Sequence, residues 1–111
     1  MKRFGMVIGL KPEAENEYRE RHAAVPPEVL ETIRQCNIRN YSIYLKDGML
    51  YSYFEYHGTD YDADMAKMAA DAATQRWWAI MNPMQEPVVT RREGEWWAAC
   101  SPPSSCPSGP T

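Results

Sequence analysis

Phe4, Met6, Ile8 and Leu10 alternate with Gly5, Val7 and Gly9 at the start of the chain. Period two predicts a strand with one buried face, and the small residues opposite predict a close approach of backbone on the second face. A charged run follows, "KPEAENEYRERHAAV", with Pro12 in a first-turn position and glutamates gathered early, where the positive end of a helix favours them. The run predicts a helix over about residues 12–23. Pro26-Pro27 interrupts the backbone donors and starts a second helix, in which Val29, Leu30, Ile33 and Cys36 recur at helical spacing. Asn37 is its expected stop.

From Arg39 the pattern returns to period two. "RNYSIYL" and "MLYSYFEY" are rich in β-branched and aromatic residues, and Lys46-Asp47-Gly48 between them predicts a hairpin. Helical spacing resumes in "GTDYDADMAKMAADAATQRWWAIMNPM": Thr59 or Asp60 is the expected cap, and Met65, Met68 and Ala69 form a core stripe. Asp71 or Thr74 restarts the helix, which carries Trp77, Trp78 and Met81 until Asn82-Pro83 ends it. "PVVTRREGEWW" is expected to add a last strand.

The order strand, helices, strand, strand, helices, strand predicts an α+β, ferredoxin-like fold: one antiparallel sheet with helices on one face. The other face of such a sheet is bare, and its aromatic strand positions suit burial against a second copy, so a symmetric homodimer is expected. A single domain is expected over residues 1–99. "CSPPSSCPSGPT", residues 100–111, is a break in composition that predicts an irregular tail.

Length and charge narrow the function. A chain of 111 residues holds one compact domain. A net charge of −3 disfavours a nucleic-acid or anionic-membrane surface, which needs basic side chains to displace counterions. No run of apolar residues is long enough to span a bilayer and no leader pattern is seen, so a cytoplasmic protein with a small-molecule or protein partner is expected. Cys36, Cys100 and Cys106 are an odd count without ligand spacing, and read as free thiols in a reducing compartment.

Among candidate chemical groups, Tyr18 and His22 are four apart and share a helix face with Ala14. The pair is compatible with a packed aromatic stripe, and also with an acid–base imidazole beside a phenol, since histidine exchanges protons near neutrality. His57, after the hairpin, is expected in solvent. A metal site would need more than His22 with Glu15 or Glu20 at awkward offsets. No Gly-x-Ser-x-Gly elbow or glycine-rich phosphate loop occurs, and Cys36 lies on a core stripe. Tyr41, Tyr44, Tyr51, Tyr53 and Tyr56 mostly fill the sheet. Trp77 and Trp78, about 100° apart around a helix, cannot both enter the core, so one is expected to edge a pocket. Indole faces that stack on sugar rings, with His and Tyr to bond hydroxyls, hint at a carbohydrate.

"EYRERH", "NYSIYL" and "QRWW", in that order, resemble the L-rhamnose mutarotase family from about residue 2 to about residue 97. The resemblance implies a dimeric α+β barrel with a monosaccharide cavity in each subunit, no cofactor and no metal. It implies His22 as proton donor, and Tyr18, Tyr41, Trp77 and Trp78 as substrate-binding residues. "NPMQEPVVTRREGEWWA" looks like a subset of the family whose substrate is another 6-deoxy sugar, such as L-fucose. The short acidic-aromatic strand that usually closes the family is replaced here by "ACSPPSSCPSGPT". The implied reaction opens the sugar ring by proton transfers to the anomeric and ring oxygens and recloses it to the other anomer, with His22 as acid and a second proton acceptor not identified. Two other readings remain at this point: a sugar-binding protein without catalysis, and a haem-binding member of the same fold.

Overall fold

The computed structural model describes residues 1–101. Its elements are β1 (Lys2–Leu10), α1 (Glu15–His22), α2 (Pro27–Gln35), β2 (Ile38–Lys46), β3 (Met49–Tyr56), α3 (Tyr61–Ala70), α4 (Ala72–Met81), β4 (Gln85–Glu86) and β5 (Ala98–Cys100). Short 3-10 turns, Pro12–Ala14 and Asn82–Met84, lead into α1 and out of α4. The antiparallel sheet runs β2-β3-β1-β4, with β5 also paired to β1. This is the ferredoxin-like order, with the sheet curled into a half-barrel around the helices.

Local chemistry sets the boundaries. Asp47 (φ 51°) and Gly48 (φ 74°) both occupy the left-handed region, as a two-residue hairpin turn demands. Asn37 (φ 67°) follows the Cys36 cap of α2, and the small polar side chain tolerates that conformation. Asp60 caps α3 by accepting from the Ala63 amide at 3.1 Å. Asp71 caps α4 through the Thr74 amide and hydroxyl, at 2.9 and 2.8 Å. These bonds satisfy helix-start donors that would otherwise face water or remain unpaired.

The face of the sheet toward the helices carries two apolar clusters. One gathers Ile8, Leu10, Ala14, Tyr18, Leu50, Met81 and Met84; the other gathers Ile38, Phe54 and Tyr56 with Phe4, Tyr61, Met65 and Met68 packed against them. Phe4 stacks between Phe54 and Tyr61, with ring centres 5.0 and 4.7 Å away. A register shift between Arg39 and Ser42, where Asn40 has φ 52°, inserts one extra residue in β2. The extra residue changes the parity of the strand. Ile38 and Tyr41 consequently both face the helices, and Tyr41, Ile43 and Leu45 then follow at period two.

Three expectations require correction. "PVVTRREGEWW" is a loop: Pro87 denies the ladder its next donor, Gly94 turns at φ 86°, and the edge of β1 is shared by β4 before the loop and β5 after it. Cys100 belongs to β5, so a short closing strand is present within the stretch that differs from the family. Leu30 is 52% exposed and Ala69 also lies outward, because α2 and α3 bury narrower stripes, through Val29, Thr32 and Cys36 and through Met65 and Met68. The tail beyond Ser101, with Cys106, lies outside the described residues.

Gly9 is where β4 crosses closest to β1. A Cβ there would stand 2.6 Å from the Glu86 carbonyl oxygen, whereas a Cβ at Gly5 would meet its nearest atom, Cys100 Cβ, at an ordinary 3.7 Å. Gly9→Ala is expected to lower the stability measured by urea unfolding by about 1–3 kcal/mol, the usual cost of forcing backbone apart, while Gly5→Ala changes it little. Equal effects at the two positions would refute this account of the β1–β4 contact.

Candidate active site

Charge pattern rather than an apolar stripe holds α1 in shape. Glu15 and Glu17 occupy its first turn, Arg19, Arg21 and His22 its last, and ion pairs link Arg19 to Glu15 (3.5 Å) and Arg21 to Glu17 (2.8 Å). Tyr18 is its one buried side chain, 4% exposed. Docking through a single large ring fixes the rotation of the helix, and with it the direction of His22 one turn later.

The His22 ring stacks on Tyr18 with centres 4.2 Å apart, and Trp77 from α4 meets it edge-on at 5.4 Å. Its Nδ1 lies 3.0 Å from the Tyr18 carbonyl oxygen. A carbonyl only accepts, so Nδ1 carries hydrogen, and the neutral ring keeps its lone pair on Nε2. Burial lowers the pKa of His22 below its ordinary 6.5, partly offset by this hydrogen bond. At neutral pH the imidazole is therefore uncharged and able to accept a proton.

Tyr18, Arg19, His22 and Ala23 form one wall of a cavity of about 280 Å³, and Ile43, Leu45 and Leu50 of the sheet form the other. Such a volume suits a small molecule. Tyr41 starts the β2 row that continues through Ile43 and Leu45. It is 44% exposed, yet burial of its hydroxyl pushes its pKa up to about 12, with the Tyr18 and Tyr61 hydroxyls adding to the shift. Its ring packs tilted against Phe54, with centres 5.5 Å apart. Tyr18 is also raised by burial, partly offset by a hydrogen bond from Gln85. Both phenols stay protonated at neutral pH.

The expected site residues are thus gathered unequally. His22 meets both Tyr18 and Trp77, and Tyr41 stands close enough to Tyr18 for that hydroxyl to raise its pKa. Trp77 packs half-buried on the first cluster and lines a second hollow on the outer side of α1, of about 430 Å³, with Glu17, Glu20, Arg21, Ala24, Pro26 and Ile80. Trp78, 39% exposed, lines neither hollow. His57 is exposed as expected and lies 3.2 Å from Glu55. Among the described residues no three His, Cys, Asp or Glu side chains converge as a metal site would require. Sequence reasoning missed Ile43, Leu45 and Leu50, although alternation from Tyr41 marks the first two. It also missed Gln85, which carries no local signal.

Fold and site define a half-barrel α+β protein with a neutral histidine and a protonated phenol at a cavity of small-molecule size, and a second protonated phenol, Tyr41, on the β2 row that leads into it. The family model described as L-rhamnose mutarotase matches residues 3–102, and the chain belongs to that family. An L-rhamnose mutarotase of Oceanobacillus iheyensis is 31% identical over 86 residues, 78% of this chain and 82% of that protein. Another from Ligilactobacillus salivarius is 34% identical over 89 residues, 76% and 80% of the two chains. The crystal structure of an L-rhamnose mutarotase from Formosa agariphila shares the fold, with a TM-score of 0.70 over 92% of this chain and 95% of that one, at 17% identity.

Proposed function

We propose that the protein is a cofactor-independent aldose mutarotase, an isomerase that interconverts the α and β anomers of L-rhamnose at the cavity between α1 and the sheet. Family membership supports the reaction, and the observation that carries the mechanism is the Nδ1–H bond from His22 to the Tyr18 carbonyl. That bond leaves Nε2 as a base. His22 takes the proton of the anomeric hydroxyl, and the resulting imidazolium gives a proton to the ring oxygen as the bond from C1 to that oxygen breaks. The products are an aldehyde at C1 and a free hydroxyl at C5. Rotation about C1–C2 and the reverse transfers close the other anomer. Both oxygens are attached to C1, so one imidazole can serve them in turn. His22 is then the family's proton donor in the second transfer and the acceptor in the first, and a separate acceptor is not needed.

Tyr18 and Tyr41 bind sugar hydroxyls as neutral phenols, and Trp77 holds the imidazole by its edge. Trp78 reaches substrate only if the sugar extends beyond the cavity walls. The working unit is the single domain expected over residues 1–99, extended by Cys100 of β5. The partner is a monosaccharide, and the family resemblance favours a homodimer over a monomer. Its contact is the face of the sheet opposite the helices, where the register places Val7, Tyr44, Tyr51 and Tyr53 together and Tyr44 and Tyr51 are exposed. Free thiols at Cys36 and Cys100 suit a cytoplasmic setting. Among the described residues no helix is long and apolar enough to cross a membrane.

Anomeric exchange of L-rhamnose, followed by NMR saturation transfer and corrected for buffer, is expected to accelerate with the protein and to lose about 10²–10⁴-fold in rate with His22→Ala. The enzymatic rate is expected to fall as acidification below pH ~6.5 protonates the lowered imidazole. A wild-type rate equal to buffer rejects the proposal, and binding without exchange would favour a sugar-binding role instead. L-Fucose in the same assay decides which deoxy sugar is preferred. Sedimentation equilibrium is expected to give a dimer that Tyr51→Glu dissociates; a wild-type monomer contradicts the assembly.

A further inference from the structure

Gln85 is a polar side chain only 5% exposed, at the end of β1's second edge, and the chemistry above does not use it. Both ends of its amide are engaged. Trp96 Nε1–H donates to Gln85 Oε1 at 2.8 Å, and Gln85 Nε2–H donates to the Tyr18 hydroxyl oxygen at 3.3 Å. An indole N–H has no acceptor capacity. It therefore fixes which way the amide is turned: oxygen to Trp96, NH2 to Tyr18. A phenol receiving a hydrogen bond from an amide must direct its own hydrogen elsewhere, and Tyr18 lines the cavity.

We propose that Gln85 and Trp96 are positioning residues that make Tyr18 a hydrogen-bond donor to a sugar oxygen, with Gly9 admitting the backbone approach that brings Gln85 into place. The inference rests on the mutarotase reading of the cavity. An unoriented phenol could offer either its hydrogen or its lone pair to a hydroxyl; the relay removes the choice. A donor suits an oxygen that accepts, and a sugar whose anomeric proton is being withdrawn accumulates negative charge on such an oxygen. The relay also couples the loop between β4 and β5 to the site, because Trp96 is the last but one residue before β5.

The experiment is a double-mutant cycle of Gln85→Glu with Tyr18→Phe, read as KM and kcat for L-rhamnose exchange. The introduced carboxylate, when charged, accepts from both Trp96 and Tyr18, which turns the phenol hydrogen away from the cavity. KM is expected to rise about tenfold, as loss of one hydrogen bond allows, with a smaller change in kcat. In the Tyr18→Phe background the same substitution is expected to add nothing. Trp96→Phe, at a partly exposed ring, is the milder variant; it frees the amide to turn and is expected to raise KM about threefold, again only when Tyr18 is present. Equal penalties in both backgrounds, or no change of KM in either, overturn the proposal while leaving the mutarotase reading intact.

A readout without sugar separates the two claims. In ¹H–¹⁵N spectra, Tyr18→Phe is expected to shift the Gln85 side-chain NH2 pair, and Trp96→Phe to shift it as well. If the wild type does not accelerate exchange, the mutarotase reading falls and takes the assigned ligand with it. Gln85 amide signals that ignore both substitutions overturn the relay itself.

Discussion

Every group at the cavity is placed relative to β1, a strand hydrogen-bonded along both edges. One edge is taken by β3 from Lys2 to Gly9. The other is divided, with β5 at Gly5–Val7 and β4 at Gly9–Leu10. Ile8 and Leu10 point from this strand into the cluster that receives Tyr18. Since α1 has little else to bury, its position depends on that socket. A shift of β1 would move Tyr18, and through it His22, whose ring is held by stacking and by a bond to Tyr18's own carbonyl. Gly9 is part of the same constraint, because any side chain there would push away the strand that carries Gln85.

Burial keeps the ring groups of the site uncharged, beside the Arg19 guanidinium on the same wall. Burial acts in opposite directions on its two kinds of titratable group: it disfavours the imidazolium of His22 and the phenolates of Tyr18 and Tyr41. All three are neutral at pH 7, which matches a neutral sugar, and a proton passed to His22 is readily given back. A low pKa weakens the histidine as a base while strengthening its conjugate acid. A reaction that takes a proton from one oxygen and returns it to another on the same carbon needs both, so an intermediate basicity serves it better than an extreme.

Much of this was legible in the chain, for physical reasons that differ from place to place. The hairpin at Asp47-Gly48, the caps at Asp60 and Asp71 and the stop at Asn37 are local chemistry, written in a few adjacent residues. The face shared by Tyr18 and His22 follows from helical geometry alone. The bulge at Asn40 was not legible, because a one-residue insertion leaves the alternation intact on each side of it and only the register against β3 exposes it. Nor was the division of the last strand into β4 and β5, since "PVVT" has strand character and its exclusion depends on Pro87 and on room along β1. Gln85 meets Tyr18 across 67 positions of sequence. Trp77 and Trp78 were seen as a pair that must divide; that Trp77 is the one against His22 depends on how α4 packs on α1.

The proposed chemistry requires His22 to stand at the cavity as a neutral imidazole with hydrogen on Nδ1 and a free lone pair on Nε2. Long-range ¹H–¹⁵N correlation of the histidine rings, recorded across pH with and without L-rhamnose, tests it most directly. A protonated Nδ1 and a bare Nε2 are expected at pH 7, with titration below the ordinary histidine value of 6.5 and an Nε2 resonance that moves when the sugar is added. A ring protonated at Nε2 alone, a cation at pH 7, or a spectrum indifferent to the sugar would contradict it.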